Sequence, residues 1–221
     1  MRFGKRLLPI FTALFVITGC AAVKPYGEET PDLPSTTASS IRARGVVEMK
    51  KDSFSARGRA VILAEAPGSF RIEVFGPFGQ VAALVASDGE RLLINSEGKT
   101  NVFLWGDSRI PYTFKAQEAV SFLTGGPMEH ETDGLPGARS ITDKKGRLSE
   151  YSRAIEGRPD LKVTLGEYRS VQGAAVPFRI SFEDGRQGLT IKYTEVEINY
   201  PFENGFFKVE APSEQGAKEV D

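Results

Sequence analysis

The chain has 221 residues, of which 26% are charged and 40% are hydrophobic, including 15 Phe, and this composition is that of a globular protein. The 28 Lys and Arg nearly cancel the 29 Asp and Glu, which argues against nucleic acid as a partner. One Cys and one His exclude an internal disulfide and a cysteine-rich zinc site, and they leave little from which a His- or Cys-dependent enzyme could be built. We therefore expect a protein that is not an enzyme and holds no metal or cofactor.

Residues 1–19 predict a signal peptide. An apolar run at residues 7–17 follows three cations, namely Arg2, Lys5 and Arg6. The run is shorter than the ~20 residues that a membrane-spanning helix needs, and it suits the core of a secretory signal. Loss of this segment removes three cations and no anion, so the formal net charge changes from −1 to −4.

The signal ends in Ile17-Thr18-Gly19-Cys20, which resembles the bacterial lipobox: a branched apolar residue, two small residues and then Cys. The resemblance implies cleavage before Cys20, followed by lipidation of its thiol and new N-terminus with chains such as palmitate. Such a protein is anchored to a membrane without crossing it. Ala21, the next residue, implies export to the outer membrane. The alternatives are an ordinary secretory signal with a chance Cys, or a transmembrane anchor.

The rest of the chain divides into a tether, one folded domain and a tail. Residues 20–40 are rich in Pro, Ser, Thr and Glu, which predicts an extended tether behind the lipidated Cys20. The folded domain is expected over residues 41–211, and residues 212–221 are expected to be disordered.

Strand patterns fill the first half of the domain. After a first strand that begins near Ile41, strands are predicted at residues 53–65, 69–75, 80–87, 90–95 and 99–105. Asp88-Gly89 is a hairpin signal between two of them. Residues 115–123 then have apolar side chains at helical spacing and are followed by Gly125-Gly126, which predicts one short amphipathic helix.

Strands resume after loops at residues 124–146, which leave room for one short strand. The predicted strands are 147–155, 161–168, 176–183 and 189–198, with a last short strand at 206–210. A slip in the alternation near Thr194-Glu195 predicts a β-bulge.

These elements predict a mainly β fold with a little α, in which about 9–11 antiparallel strands form one twisted, curling sheet. Its interior, covered by the helix, is either hollow, as in a container, or filled, as in a sandwich. Alternation alone does not distinguish the two.

A specific family resemblance lies in residues 41–79. Its parts are Arg42-Ala43-Arg44-Gly45, the hairpin Lys51-Asp52, Phe54-Ser55-Ala56-Arg57, and the run from Phe70 to Gly79. Together they resemble LolB, a family of outer-membrane lipoproteins, and the LolB-like lipoproteins of unassigned function.

The resemblance implies an unclosed β half-barrel, covered by a helix, whose apolar cavity takes acyl chains. It implies a monomer in the outer membrane, facing the periplasm and anchored in lipid through Cys20. It also implies a protein-transport function: the protein accepts acylated lipoproteins from a periplasmic LolA-like carrier and inserts them into the membrane. The alternative is an envelope lipoprotein that uses the same fold as a lipid sensor or as a scaffold. A lipid hydrolase is disfavoured because no Ser–His–Asp pattern surrounds the lone His130.

The turn Gly76-Pro77-Phe78-Gly79 is the sharpest candidate site. Pro in second place and Gly in last place fit a tight turn, and Phe in third place would project at its tip. In the LolB family this tip carries an apolar residue, which implies a membrane-insertion or delivery role for Phe78. The alternative is that Phe78 folds back onto the sheet.

The inward-facing apolar side chains are the candidates for the acyl-chain cavity. They are Phe54, Phe70, Ile72, Phe103, Trp105, Phe122, Phe178, Ile180, Phe182 and Tyr193. The alternative for each is an ordinary core position. A basic cluster at Arg42, Arg44, Arg57 and Arg59 is read as a solvated strand face, or as a guide for an acidic partner or lipid headgroups.

Overall fold

The structure is a computed structural model that describes residues 37–51, 54–96, 98–107, 109–110, 114–128, 137–154, 157 and 160–210. The predicted signal peptide, Cys20, most of the tether, His130 and the tail at 212–221 lie outside these ranges, as does the side chain of Phe54. Predictions about these residues stay predictions. Within the described ranges, no helix combines the length and the apolar character needed to span a membrane.

The described residues form an 11-stranded sheet and one helix. The elements are β1 (Ser40–Lys51), β2 (Phe54–Glu65), β3 (Ser69–Phe75), β4 (Val81–Asp88), β5 (Arg91–Ser96), β6 (Lys99–Leu104), α1 (Ala116–Thr124), β7 (Ala138–Thr142), β8 (Leu148–Arg153), β9 (Leu161–Val171), β10 (Ala174–Glu183) and β11 (Gln187–Ile198). The helix ends where predicted, because Gly125 adopts the left-handed conformation with φ 74°.

The strands are arranged in the order β6-β5-β4-β3-β2-β1-β11-β10-β9-β8-β7 and all neighbours are antiparallel. The sheet does not close, since β6 and β7 stand at its two edges. Helix α1 contacts β1, β2, β3 and β10. Because β3 and β10 are separated by three strands, one short helix reaches both only if the sheet curls around it. The predicted fold class, an unclosed antiparallel half-barrel covered by a short helix, is confirmed.

Two local features bend the central strands. Arg44 pairs with Glu195 while Gly45 pairs with Tyr193, so Thr194 is the extra residue of a β-bulge, as predicted. On β2, a Cβ added to Gly58 would lie 2.7 Å from Cγ1 of Val74 and 2.9 Å from the carbonyl oxygen of Phe75. Glycine at this position therefore allows β2 and β3 to approach closely where the sheet curves.

The basic cluster is largely neutralised on the outer face of the sheet. Three of its four members form cross-strand ion pairs: Arg42 with Glu197 at 3.9 Å, Arg44 with Glu195 at 3.3 Å, and Arg57 with Glu48 at 3.5 Å. Exposed pairs of this kind are each worth at most about 1 kcal/mol. A guiding role of this cluster for an acidic partner or for lipid headgroups stays a prediction.

The segment of residues 199–210 does not form the predicted last strand. At its start, Oγ of Ser40 donates to the carbonyl of Tyr200 at 2.8 Å. At its end, the Val209 amide donates to the Asp88 carboxylate at 3.4 Å, and Arg91 donates to the carbonyl of Val209 at 3.1 Å. Both edges of β11 are already paired, with β1 and β10, so the chain that leaves β11 cannot fold back and pair beside it. The segment instead forms a strap from β1 to the β4–β5 turn.

The strap is held by its own aromatic cluster. The ring of Phe202 has its centroid 5.0 Å from that of Tyr200, 5.2 Å from that of Phe206 and 4.9 Å from that of Phe207. Phe207 is buried but does not belong to the main core. The strap therefore adds a second, small apolar cluster to the domain.

Candidate functional site

The half-barrel has two different ends. One end, which we call the helix end, carries the β2–β3, β4–β5 and β9–β10 turns. The other, which we call the open end, carries the β1–β2, β3–β4, β5–β6 and β10–β11 hairpins. The start of α1 packs on the β2–β3 turn, where a Cβ added to Gly68 would lie 2.9 Å from the Cβ of Ala116. The helix thus covers the interior from the helix end and packs away from the hairpins of the open end.

The interior beneath α1 is filled by aromatic rings. Phe122 on the helix is 0% exposed, and its centroid lies 5.2 Å from that of Tyr151 and 6.0 Å from that of Phe182. Phe114, just before the helix, lies 5.9 Å from Phe122, 5.8 Å from Phe182 and 6.0 Å from Trp105. These contacts join the two sides of the curled sheet through the helix, so this part of the interior is a packed core.

Replacement of Phe122 by Ala should be one of the most destabilising single changes in the domain. It removes a fully buried ring that contacts three other aromatic rings. We expect a loss of about 3–5 kcal/mol in the free energy of unfolding, measured by denaturant titration. Leu104→Ala is the control, since 68% of Leu104 is exposed. A loss below about 1 kcal/mol for Phe122→Ala would contradict the packed core described here.

The inner face of β3–β6 is less well covered toward the open end. Ile72 on β3 pairs with Val85 on β4, which pairs with Ile94 on β5, and all three are only partly buried. The next row toward the open end is Val74 and Ala83, also partly exposed. We call these five residues the open groove. It is an apolar surface of the interior that other side chains do not fully cover.

The β3–β4 hairpin stands at the same end as the open groove. The amide of Gly79 donates to the carbonyl of Gly76 at 3.0 Å, and that of Gly76 to the carbonyl of Gln80 at 2.9 Å, which makes a tight turn with Gly79 at φ 82°. The Phe78 side chain at its tip is 92% exposed. The structure therefore places Phe78 outward rather than folded back on the sheet, while its role at a membrane stays a prediction.

The sequence-predicted cavity residues fall into two groups. Six lie in the packed core with at most 6% exposure, and they are Phe70, Phe122, Phe178, Ile180, Phe182 and Tyr193. Three are partly buried against it, namely Ile72, Phe103 and Trp105. The structure brings these nine onto one interior, and their role in binding acyl chains stays a prediction. Sequence reasoning missed the other four residues of the open groove, which are Val74, Ala83, Val85 and Ile94. Strand alternation indicates which face they are on, but it does not indicate how much of each side chain is covered.

Phe114 was also missed from sequence, because it lies outside any periodic element. A signal was available, since Phe114 directly precedes Lys115, the N-cap residue of α1. An apolar residue at this position commonly packs back against the first turns of a helix.

The polar groups near the interior are structural. The indole nitrogen of Trp105 donates to Oγ of Ser87 at 3.0 Å, and Ser87 is 0% exposed. At the β6 edge, hydrogen bonds from Arg109 lower the pKa of Asp107 to about 2, while the guanidinium lies 5.1 Å from the centroid of the Phe103 ring. Asp107 is thus ionised at neutral pH and is not poised as a general acid. Among the described residues, no group of three His, Cys, Asp or Glu side chains is placed to hold a metal. In the part of the chain that the structure describes, the open groove itself offers apolar contact.

Comparison with solved structures identifies the fold. A LolA superfamily protein from Nitrosomonas europaea aligns over 81% of this chain and 94% of its own, with a TM-score of 0.53 and 10% identity. An outer membrane lipoprotein-sorting protein domain from Vibrio parahaemolyticus aligns over 77% and 89%, with a TM-score of 0.47 and 10% identity. The Mycobacterium tuberculosis lipoprotein LppX aligns over 75% and 89%, with a TM-score of 0.31 and 12% identity. No protein-family model and no curated protein matches the sequence. The first of the three structures shows that the fold is LolA/LolB-like.

Proposed function

We propose that the protein is an outer-membrane lipoprotein that accepts the acyl chains of other lipoproteins from a periplasmic LolA-like carrier and passes the clients into the membrane. The observation that carries this proposal is the position of Phe78. A 92% exposed aromatic side chain stands on a tight hairpin at the same end as the open groove. An apolar passage from groove to bilayer needs both features at one end.

The energetics of acyl transfer agree with such a site. Each buried CH₂ is worth about 0.8 kcal/mol, so a sixteen-carbon chain is worth on the order of 12 kcal/mol, and passage through water is prohibitive. A surface that enclosed the chain better than the bilayer does would never release it. A partly covered groove meets both requirements, because it shields the chain while leaving part of its apolar contact to the membrane.

The anchor and location belong to the same proposal. Lipidation of Cys20 would hold the domain at the periplasmic face of the outer membrane, with residues 21–39 between the bilayer and β1. Replacement of Cys20 by Ser should abolish incorporation of radiolabelled palmitate and release the protein from the membrane fraction. Membrane retention without label would instead indicate an uncleaved signal.

A second candidate function is a non-transport sensor or scaffold. It is favoured by the packed aromatic core under α1, because among the described residues this core leaves less of the interior free for a ligand than a hollow container would. Such a protein would bind acyl groups, or an envelope partner, without handing a client to the bilayer.

The two functions differ in a transfer experiment. A fluorescent triacylated lipoprotein bound to its soluble carrier is mixed with the protein, and liposomes are then added. We expect fluorescence to move from carrier to protein and then to liposomes. Failure to take the client from the carrier would contradict the proposed function. Capture without release to liposomes would favour the sensor.

A further inference from the structure

Helix α1 is bound to the sheet by a tyrosine hydroxyl near each of its ends. Near its start, the hydroxyl of Tyr151 on β8 donates to Oε1 of Glu118 at 2.9 Å, and Oε2 of the same carboxylate accepts from the Lys115 amide at 2.6 Å. Near its end, the hydroxyl of Tyr193 on β11 donates to the carbonyl of Leu123 at 3.1 Å. That carbonyl is among the last four of the helix, which have no partner within it.

Both hydroxyls remain donors at neutral pH. Burial raises the pKa of Tyr193. Burial also raises the pKa of Tyr151, and the negative charge of Glu118 raises it further. Tyr151 is 3% exposed and Tyr193 is 4% exposed. Lifting the helix would strip each buried hydroxyl of its acceptor, which is unfavourable where water does not replace it.

The helix is also seated without clearance at both ends. At its start, the Cβ of Ala116 lies where a side chain on Gly68 would come within 2.9 Å. At its end, a Cβ on Gly125 would lie 2.7 Å from the carbonyl oxygen of Ala175 and 2.7 Å from Cδ of Pro177. Six of the nine residues of α1 are buried, so the apolar face of the helix is already packed against the sheet. The residues of the open groove on β3–β5 are only partly buried, and within the described ranges no helix packs over them as α1 does over the core.

From these contacts we infer that α1 is a fixed wall of the acyl-binding site rather than a moving lid, and that acyl chains enter and leave across the open groove beside Phe78. Tyr151 and Tyr193 are positioning residues that hold the wall. This inference rests on the proposed acyl-binding function. It goes further by stating the route of the ligand and the part of the interior that does not open.

A reversible cross-link tests the wall directly. Gly68→Cys and Ala116→Cys place two thiols at the contact between the β2–β3 turn and the helix, and a shift of about 1 Å brings their Cβ atoms to disulfide spacing. Cys20→Ser removes the chain's natural thiol. Binding of a fluorescent sixteen-carbon lipopeptide is then measured for the oxidised and reduced forms of the same full chain. Ala116→Cys alone is the control for the oxidant.

We expect oxidation to change the dissociation constant by less than about threefold. A greater loss that reductant restores would overturn the inference, because it would show that the helix must move. If the wild-type chain binds no lipopeptide, the proposed function fails. The two failures are distinguishable: no binding by the wild type contradicts the proposed function, whereas binding that is lost on oxidation and restored on reduction contradicts only the fixed wall.

If the cysteine variant does not fold, hydrogen exchange on the wild-type chain tests whether α1 stays in place when the ligand binds. Amide protection in the second half of α1 should be the same in the free protein and in the lipopeptide-saturated protein. A clear loss of protection on loading would overturn the fixed wall.

Discussion

Replacement of Phe78 by Glu is expected to leave the domain folded and to block delivery of lipidated clients to bilayers. The side chain is 92% exposed, so its loss removes almost no buried surface, and the change in unfolding free energy should stay within about 0.5 kcal/mol. Insertion of an exposed Phe into a bilayer gains about 1.5–3 kcal/mol of apolar burial. A carboxylate cannot make this gain. Delivery to liposomes should therefore fall by roughly ten- to a hundredfold.

The matched control is Leu104→Glu. Leu104 is 68% exposed and lies at the far end of β6, away from the open end. Both variants gain the same charge at an exposed apolar position, so a loss confined to Phe78→Glu locates the membrane contact at the β3–β4 turn. Normal delivery by Phe78→Glu, or an equal loss in both variants, would contradict a specific role of Phe78 in membrane contact. Capture of the client from the carrier should be retained, because the groove is unchanged.

Replacement of Ala83 by Trp is expected to abolish acyl binding with little effect on the fold. Ala83 pairs with Val74 on β3 and with Ser96 on β5, so it lies in the last inward-facing row before the open end. A Trp there projects over the open groove and takes up the apolar surface that an acyl chain would cover. We expect the affinity for a sixteen-carbon lipopeptide to fall at least about tenfold, or about 1.4 kcal/mol.

The neighbouring residue provides the control for bulk. Leu84 pairs with Glu73 and, by strand alternation, faces the outside of the sheet. Leu84→Trp should leave lipopeptide binding within about twofold of wild type, as measured by fluorescence titration. Equal binding by Ala83→Trp and the wild type would place the acyl site elsewhere on the protein.

The elements of the fold were predictable because they depend on local pattern. Alternation along β10 and helical spacing along α1 are properties of consecutive residues, and Gly125 ends the helix whatever lies around it. The bulge at Thr194 was visible for the same reason, since a slip of one residue reverses the faces of a strand. The last strand predicted at residues 206–210 was wrong. The sequence there alternates like a strand, but both edges of β11 are already paired with other strands. Pairing is a property of the whole sheet.

The candidate site was only partly predictable. The sequence alone predicts that Phe78 sits in a tight turn, because Pro77 fixes its own φ and Gly79 tolerates a positive φ, and that apolar side chains of the strands face one interior. The three-dimensional arrangement was needed to show which of those side chains are packed and which are left partly exposed. Phe122 is enclosed because α1 carries it between Tyr151 and Phe182, whereas Val85 is only partly buried and none of the described helices or strands packs over it. Burial depends on which element packs opposite a residue in space. Strand alternation indicates only the face on which a side chain lies, so it cannot predict that packing.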